Sequence, residues 1–239
     1  MGMRESNIWL VDAVRWDTGY LPNHPLRSVR AWFQQHFPRF TLQYSTAEDL
    51  IEAGIPANAE KIILSGSPRD AWDNDPFTLR LAERVREISE RQIRFLGVCY
   101  GHQMLARALG GEVQKEKKGL EFGNATVNLT PAGSLSALFR DLPETFSVLQ
   151  SHSDAVTKLP PSAQLLATGE HTHVQAFQHG SAMFGVQFHP ETTPEILRYL
   201  WEPRVPKWQP NLSYDLHQKL NHLFPAKNAV KILQNFSEL

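Results

Sequence analysis

The stretch RFLGVCYGHQMLARALGG (residues 94–111) holds the only cysteine in a chain of 239 residues. Its first five residues, RFLGV, form a short apolar run of strand type. GHQMLARAL (101–109) has helical spacing and stops at Gly110-Gly111. Between them lies Gly97-Val98-Cys99-Tyr100-Gly101, a cysteine with a glycine two positions away on each side. A strand that turns this sharply into a helix crosses its own backbone. Side chains two residues before and after the apex would collide there, and glycine has none. The arrangement is the cysteine form of a nucleophile elbow. The sulfur is lifted off the end of the strand, the Tyr100 amide turns toward whatever binds, and the helix N-terminus favours a thiolate. A lone cysteine is otherwise most often a small buried hydrophobe. The strand–turn–helix context argues against that reading for Cys99.

Outward from the elbow, strands alternate with helices. NIWLVD (7–12), RFTLQYS (39–45) and KIILSGSP (61–68) read as strands, the last running into a turn. LRSVRAWFQQHF (26–37) and AEDLIEAG (47–54) have helical spacing, the second closed by Gly54. Asp75-Pro76 is an N-cap followed by a proline at the first helical position. Leu79, Ala82, Val85 and Ile88 then continue one helical face to about Arg91. Such alternation predicts a parallel sheet covered on both faces. After residue 112 the texture changes. EFGNATVNLT, FSVLQS, AQLLATGE, HVQAFQ and SAMFGVQF are closely spaced strand-like runs, predicting an antiparallel or mixed extension of the same sheet. TTPEILRYLWE (192–202) returns to helix, and the tail from 203 to 239 contains at least one amphipathic helix. The expected fold is therefore α/β, an open twisted, mostly parallel, flavodoxin-like sheet. The expected organisation is one domain over 1–239, with a core of about 6–202 and a helical extension over 203–239.

A formal net charge of −1 gives no electrostatic reason to expect nucleic acid or an anionic membrane as partner. No apolar run approaches the roughly 20 residues that span a bilayer, and the N-terminal MGMRESNIWLVDAVRWD lacks a signal-peptide core. One cysteine cannot form an internal disulfide, which fits a reducing cytoplasm.

A thiol nucleophile needs a base, and the base an orienting group. Among ten histidines, His189 in GVQFHPE (185–191) stands out. It follows a strand, as the cysteine does. Glu191 lies two residues on, with Pro190 stiffening the link, a spacing that places an acceptor beside the imidazole. The plainer reading makes His189 a strand-end histidine and Glu191 a helix N-terminal acid. His171 and His173 are spaced for a metal pair, but no third ligand is evident, so neither a metal nor another cofactor is expected. His102 reads as part of a helix N-terminus. Trp201 and Trp208 read as cover for core surface.

Together, Gly97–Gln103 and Gly185–Glu191 resemble the class I (triad) glutamine amidotransferase domain. Ser65-Gly66-Ser67-Pro68 is similar to its oxyanion loop, and Ser151-His152-Ser153-Asp154 to the Ser-His-Gly-Asp stretch of the amidotransferase part of GMP synthetases. The resemblance runs from roughly residue 45 to 200. It implies that Cys99 attacks the side-chain amide of glutamine to form a γ-glutamyl thioester, that His189 moves the proton, and that Glu191 orients His189. It further implies that the amides of Gly66 and Tyr100 face the oxyanion, and that Gln103 and the strand around 151–154, with Ser151, His152 and Ser153, help hold the α-carboxylate and α-amino groups of the glutamine. Ser153 departs from the family's usual glycine. No S-G-G-x-D-S pyrophosphatase loop and no Walker A motif are present, so activation of an acceptor by ATP is not expected of this chain. Three functions remain open. The chain is a hydrolase of glutamine or γ-glutamyl amides, a glutaminase subunit serving a separate synthetase, or a non-enzymatic redox or binding protein that kept the elbow.

Overall fold

The computed structural model describes residues 4–14 and 28–239. The proposed turn of helix at Leu26 and the loop before it lie outside those residues. Among the described residues the chain builds a nine-stranded sheet. Five strands are parallel and adjacent, in the order β2 (Phe40–Thr46), β1 (Arg4–Asp12), β3 (Lys61–Leu64), β4 (Arg94–Val98) and β11 (Met183–Val186). The antiparallel extension continues through β10 (Val174–His179), β9 (Gln164–Gly169), β6 (Glu121–Leu129) and β7 (Thr145–His152). The mixed sheet expected from the sequence is thus what forms. One part is different. β5 (Glu112–Lys115) and β8 (Asp154–Lys158) pair only with each other, in a separate two-stranded sheet. β7 ends at His152 and β8 starts at Asp154, so the chain passes from one sheet to the other at Ser153.

Short apolar runs make the parallel strands because both faces are buried. Neighbouring residues go to opposite sides. Leu10, Ile63, Leu96 and Phe184 join one core cluster, while Val11, Ile62, Phe95 and Met183 join another. The helices between strands begin at strong caps. In α1 (Val29–Gln34) the Ser28 hydroxyl accepts from the Ala31 amide. In α2 (Ala47–Ala53) Thr46 and Asp49 form a reciprocal capping box. In α3 (Pro76–Glu90) Asp75 accepts from the Phe77 and Thr78 amides. The buried stripe of α3 is Thr78, Leu81, Ala82, Val85 and Ile88. Leu79 lies one position off that stripe and is exposed, contrary to the face read from spacing.

The C-terminal segment is packed into the molecule. After α4 (Tyr100–Ala108) and the short α5 (Pro131–Leu135) come α6 (Pro194–Trp201), α7 (Val205–Trp208), α8 (Leu216–Asn221) and α9 (Val230–Glu238). Ile232, Leu233 and Phe236 of α9 are fully buried in the cluster that contains Leu10 and Leu96. Each such side chain contributes about 1.5–3 kcal/mol by burial. α6 and α8 supply Leu197, Trp201, Leu216 and Leu220 to a third cluster with Phe122 and Leu149. Polar ties bind α8 and the residue stretch before it to β6 and its start. Tyr214 donates to the Leu120 carbonyl at 2.9 Å and Lys219 to the Phe122 carbonyl at 3.1 Å. No helix among the described residues is long and apolar enough to cross a membrane.

Candidate active site

Cys99 sits between β4 and α4 with φ 52° and ψ −102°. Its amide donates to the Val186 carbonyl at 2.9 Å, which ties the apex to the end of β11. The two flanking glycines are required by contact distances. A Cβ on Gly97 would lie 2.3 Å from the Gly101 carbonyl oxygen, and one on Gly101 would lie 2.3 Å from the Leu64 carbonyl oxygen. Both obstacles are backbone and cannot swing aside. Glycine lets α4 turn back against β3 and β4 and leaves the sulfur at the C-terminal edge of the parallel sheet, where ligand sites gather.

His189 follows β11, the neighbour of β4, so the sheet itself brings His189 and Cys99 together. The His189 amide donates to the Leu149 carbonyl at 3.0 Å. Its Nδ1 lies 2.8 Å from Glu191 Oε1, and both side chains are largely buried. A carboxylate only accepts, so Nδ1 carries the proton and Nε2 is left to the thiol. Burial disfavours the charged ring. Glu191 and Cys99 outweigh it and hold the His189 pKa well above the ordinary histidine value. Nε2 itself is buried and has no partner in hydrogen-bond geometry. The backbone carbonyl of Glu191 is held by Gln35 Nε2 at 3.4 Å and His36 Nε2 at 3.1 Å, next to the end of α1.

Gly66 closes the group from a third strand end. A Cβ there would lie 3.0 Å from His189 Cε1 and 3.6 Å from Cys99 Cβ. The loop is pinned by Ser65, whose hydroxyl accepts from the Ala13 amide and donates to the Gly66 carbonyl, each at 2.9 Å. The amides of Gly66 and Tyr100 make no hydrogen bond to another described residue. Cys99, His189, Gly66 and Gln103 line one cavity of about 310 Å³, together with residues 151–154. Trp201, Lys207 and Trp208 form part of its far wall.

The residues expected to hold substrate lie in this cavity, but several of their polar atoms are already engaged. Gln103 Nε2 donates to the Asp154 carbonyl at 2.8 Å and to Gln187 Oε1 at 3.1 Å. The Ser151 hydroxyl accepts from Trp201 Nε1 at 2.8 Å. His152 Nδ1 reaches the same Asp154 carbonyl at 2.9 Å, and Nε2 reaches Glu121 Oε2 at 3.0 Å. A carbonyl cannot donate, so Nδ1 is protonated. Burial would raise Glu121, yet the hydrogen bond and charge of His152 hold it below the usual carboxylate range. The ring is thus clamped between the Glu121 carboxylate and the Asp154 backbone, all of it buried. Its effect is to lock the backbone of 151–154 along the cavity. Ser153 has a negative φ, so the missing glycine is not needed at this corner.

The sequence reading missed two side chains here, Asp70 and Trp72. Asp70 and Asp154 both line the cavity. Trp72 donates from Nε1 to Asp154 Oδ2 at 3.0 Å. Asp154 stood inside the quoted Ser-His-Ser-Asp string. Asp70 and Trp72 carried no signal beyond lying just after the Gly66 loop. His102 is fully buried outside the cavity lining, against Gly185 and with its ring 4.9 Å from that of Phe177. Burial pushes it down to about 3, so it is neutral. His171 Nε2 lies 3.2 Å from the Gly119 carbonyl, away from the site. Trp201 packs 5.0 Å from Phe122 and 5.5 Å from Trp208, so these indoles cover core surface and wall the cavity as well.

A family model described as glutamine amidotransferase class-I matches residues 36–198. The chain is similar to γ-glutamyl peptidase 3 of Arabidopsis thaliana, 33% identical over 138 residues, covering 56% of this chain and 55% of the relative. γ-Glutamyl peptidase 5 of the same plant is 31% identical over 140 residues, covering 56% and 55%. A glutamine-hydrolyzing GMP synthase of Borreliella burgdorferi is 35% identical over 136 residues, covering 57% of this chain and 25% of the synthase. The chain thus spans about half the length of the peptidases and a quarter of the synthase. Among solved structures, a glutamine amidotransferase from Thermotoga maritima superposes with a TM-score of 0.72 at 23% identity, covering 98% of this chain and 97% of that one. A glutamine amidotransferase from Methylobacillus flagellatus superposes with a TM-score of 0.74 at 17% identity, covering 99% and 95%. These two likenesses are of fold.

Proposed function

The chain belongs to the class-I glutamine amidotransferase family, and from that premise we propose that it hydrolyses the γ-amide bond of glutamine or of a γ-glutamyl peptide or conjugate. The reading rests on one observation above the others: Gly66 lies in contact range of both the His189 ring and Cys99. Nucleophile, base and oxyanion loop therefore converge from three neighbouring strand ends.

His189 Nε2 takes the Cys99 proton, and the thiolate adds to the amide carbon. The oxyanion faces the amides of Gly66 and Tyr100. As the C–N bond breaks, His189 gives its proton to the leaving nitrogen, and ammonia or an amine departs. A γ-glutamyl thioester remains on Cys99. Water then adds to that thioester while His189 takes its proton. The C–S bond breaks, glutamate leaves, and the thiol is restored. Glu191 keeps the imidazole in the right tautomer and favours its charged form throughout.

The named γ-glutamyl peptidases support a substrate larger than glutamine, as does a cavity wall built from Trp201, Lys207 and Trp208. The likeness to GMP synthases supports a second reading, in which the released ammonia goes to a synthetase partner. No cofactor enters either scheme. The test is release of glutamate from L-glutamine and from γ-glutamyl dipeptides, with Cys99→Ala as control. Cys99-dependent turnover of a dipeptide supports the hydrolase. Labelling of Cys99 by a glutamine-like electrophile without turnover supports ammonia delivery. Neither labelling nor turnover sinks both.

A further inference from the structure

The catalytic steps above act on the glutamyl half of the substrate and leave one wall of the cavity without a task. We propose that Arg204 and Lys207, set among Trp201 and Trp208, form a subsite for the leaving group, so that the site takes γ-glutamyl amino acids or peptides whose departing amine carries a free carboxylate. This deepens the proposed function and rests on it.

The wall is one face of a single helical run. α6, the turn Glu202–Arg204, α7 and the turn Gln209–Asn211 follow one another without a gap. Glu202, Val205 and Gln209 keep a right-handed helical backbone at the joins. Leu200, Trp201, Arg204, Lys207 and Trp208 recur at steps of three and four residues, which puts them on the same side. That side lines the cavity that holds Cys99. All five lie outside residues 36–198, the part matched by the family model.

The aromatic part of the wall is fixed. Trp201 donates to the Ser151 hydroxyl at 2.8 Å, and its ring packs 5.5 Å from that of Trp208. The Arg204 guanidinium lies over the Trp201 ring, 5.2 Å from its centroid, a contact that favours the cation. Burial lowers Arg204 to about 10, which leaves it charged at neutral pH. Lys207 is exposed on the same wall. Among the described residues the lysines in ion pairs are Lys158 and Lys231, and Lys207 is not one of them. The acids that line the cavity meet other groups: Glu191 meets His189, Asp154 meets Trp72, and Asp70 meets Asp154.

Ammonia, the leaving group of glutamine, needs neither cations nor indoles. An amino acid leaving through its nitrogen uses both. Its carboxylate is one carbon away from that nitrogen, and its side chain offers apolar surface. By the family resemblance the two charges of the glutamyl half belong to Gln103 and the strand around 151–154, so the cations of the wall are left for the other half. A guanidinium or ammonium on a partly desolvated aromatic wall holds a carboxylate by charge-assisted hydrogen bonds.

The experiment compares kcat/KM for γ-glutamylglycine and γ-glutamylglycinamide in the wild type, Arg204→Gln and Lys207→Gln. The two compounds share the glutamyl half and the scissile bond, and only the first carries a carboxylate on the leaving side. Any intrinsic difference between the two amines is common to all three proteins, so the readout is the change in the ratio. Arg204→Gln is expected to shift the ratio against γ-glutamylglycine by about tenfold, and the more exposed Lys207→Gln by about threefold. A structural role, or a role on the α-carboxylate, would slow both compounds alike and leave the ratio in place. Lys207→Gln reports even where Arg204→Gln fails to fold. Where turnover is too slow to measure, protection of Cys99 from iodoacetamide by the two compounds reads the same ratio. An unchanged ratio in the folded variants overturns the subsite while the hydrolase stands. Absence of both turnover and protection with either compound in the wild type sinks the proposed hydrolase, and the subsite with it.

Discussion

Glycine at position 99 should lose most or all of its usual stability deficit against alanine. Both variants remove the thiol, and they differ only in a Cβ held at φ 52° and ψ −102°. An L-residue confined to such a region stores about 1–3 kcal/mol. At an ordinary buried position, Ala→Gly costs about 0.5–1 kcal/mol in chain entropy, and the lost methyl removes roughly 0.8 kcal/mol of burial. An unstrained site would therefore make the glycine variant weaker by about 1.5 kcal/mol. With the strain released, the glycine variant is expected to lie between about 0.5 kcal/mol below the alanine variant and about 1.5 kcal/mol above it. For a chain of this size that difference is roughly 3–6 °C in Tm. Thermal unfolding of the two variants in one buffer measures it. A glycine variant weaker than the alanine variant by the full unstrained amount would refute the idea that the elbow holds its nucleophile under strain.

Gly101→Ala should cost about 3 kcal/mol or more, because the new Cβ would press on the Leu64 carbonyl at 2.3 Å; an unfolding midpoint close to wild type would show that the helix can slide away. Glu191→Gln should lower the pKa of His189 and cut kcat by about 10²-fold or more. In wild type, protonated His189 stabilises the fold below the ordinary histidine range, and that contribution is lost as pH rises through its raised folded value. The variant should flatten this part of the stability profile, and an unchanged profile would remove Glu191 from its role. Burial first, then the neighbouring Asp70, raise the folded pKa of Asp154 from 3.8 to about 6, with Trp72 and Lys115 acting in the opposite direction. The unfolded chain gives up that proton first, so stability should fall as pH climbs through this window. Asp154→Asn should abolish the fall and be the more stable protein at pH 8; a variant less stable there would contradict the buried carboxylate pair.

Much of this molecule was legible where the chemistry lies within a few residues. The RFLGV strand, the Asp75-Pro76 helix start and the Gly-x-Cys-x-Gly elbow are local patterns, and the chain folds there as they predict. His189 and Glu191 were readable for the same reason, since a two-residue spacing sets their contact. The α3 face was misjudged at Leu79 because any apolar residue near a helical stripe looks as if it belongs to it.

The residues alone therefore determined the alternation of strands and helices, the elbow around Cys99, and the pairing of His189 with Glu191. Only the tertiary structure decided that β11 enters the sheet beside β4, which puts His189 next to Cys99 across 90 residues of chain. It alone decided that β5 and β8 leave the main sheet, that α9 is a core helix, and that Asp70 meets Asp154 and Glu121 meets His152. The physical reason is common to all of these. A four-residue apolar strand or a single carboxylate has no local preference for one distant partner over another. The choice is made by how the whole chain buries its apolar faces at once, and sequence spacing does not record it.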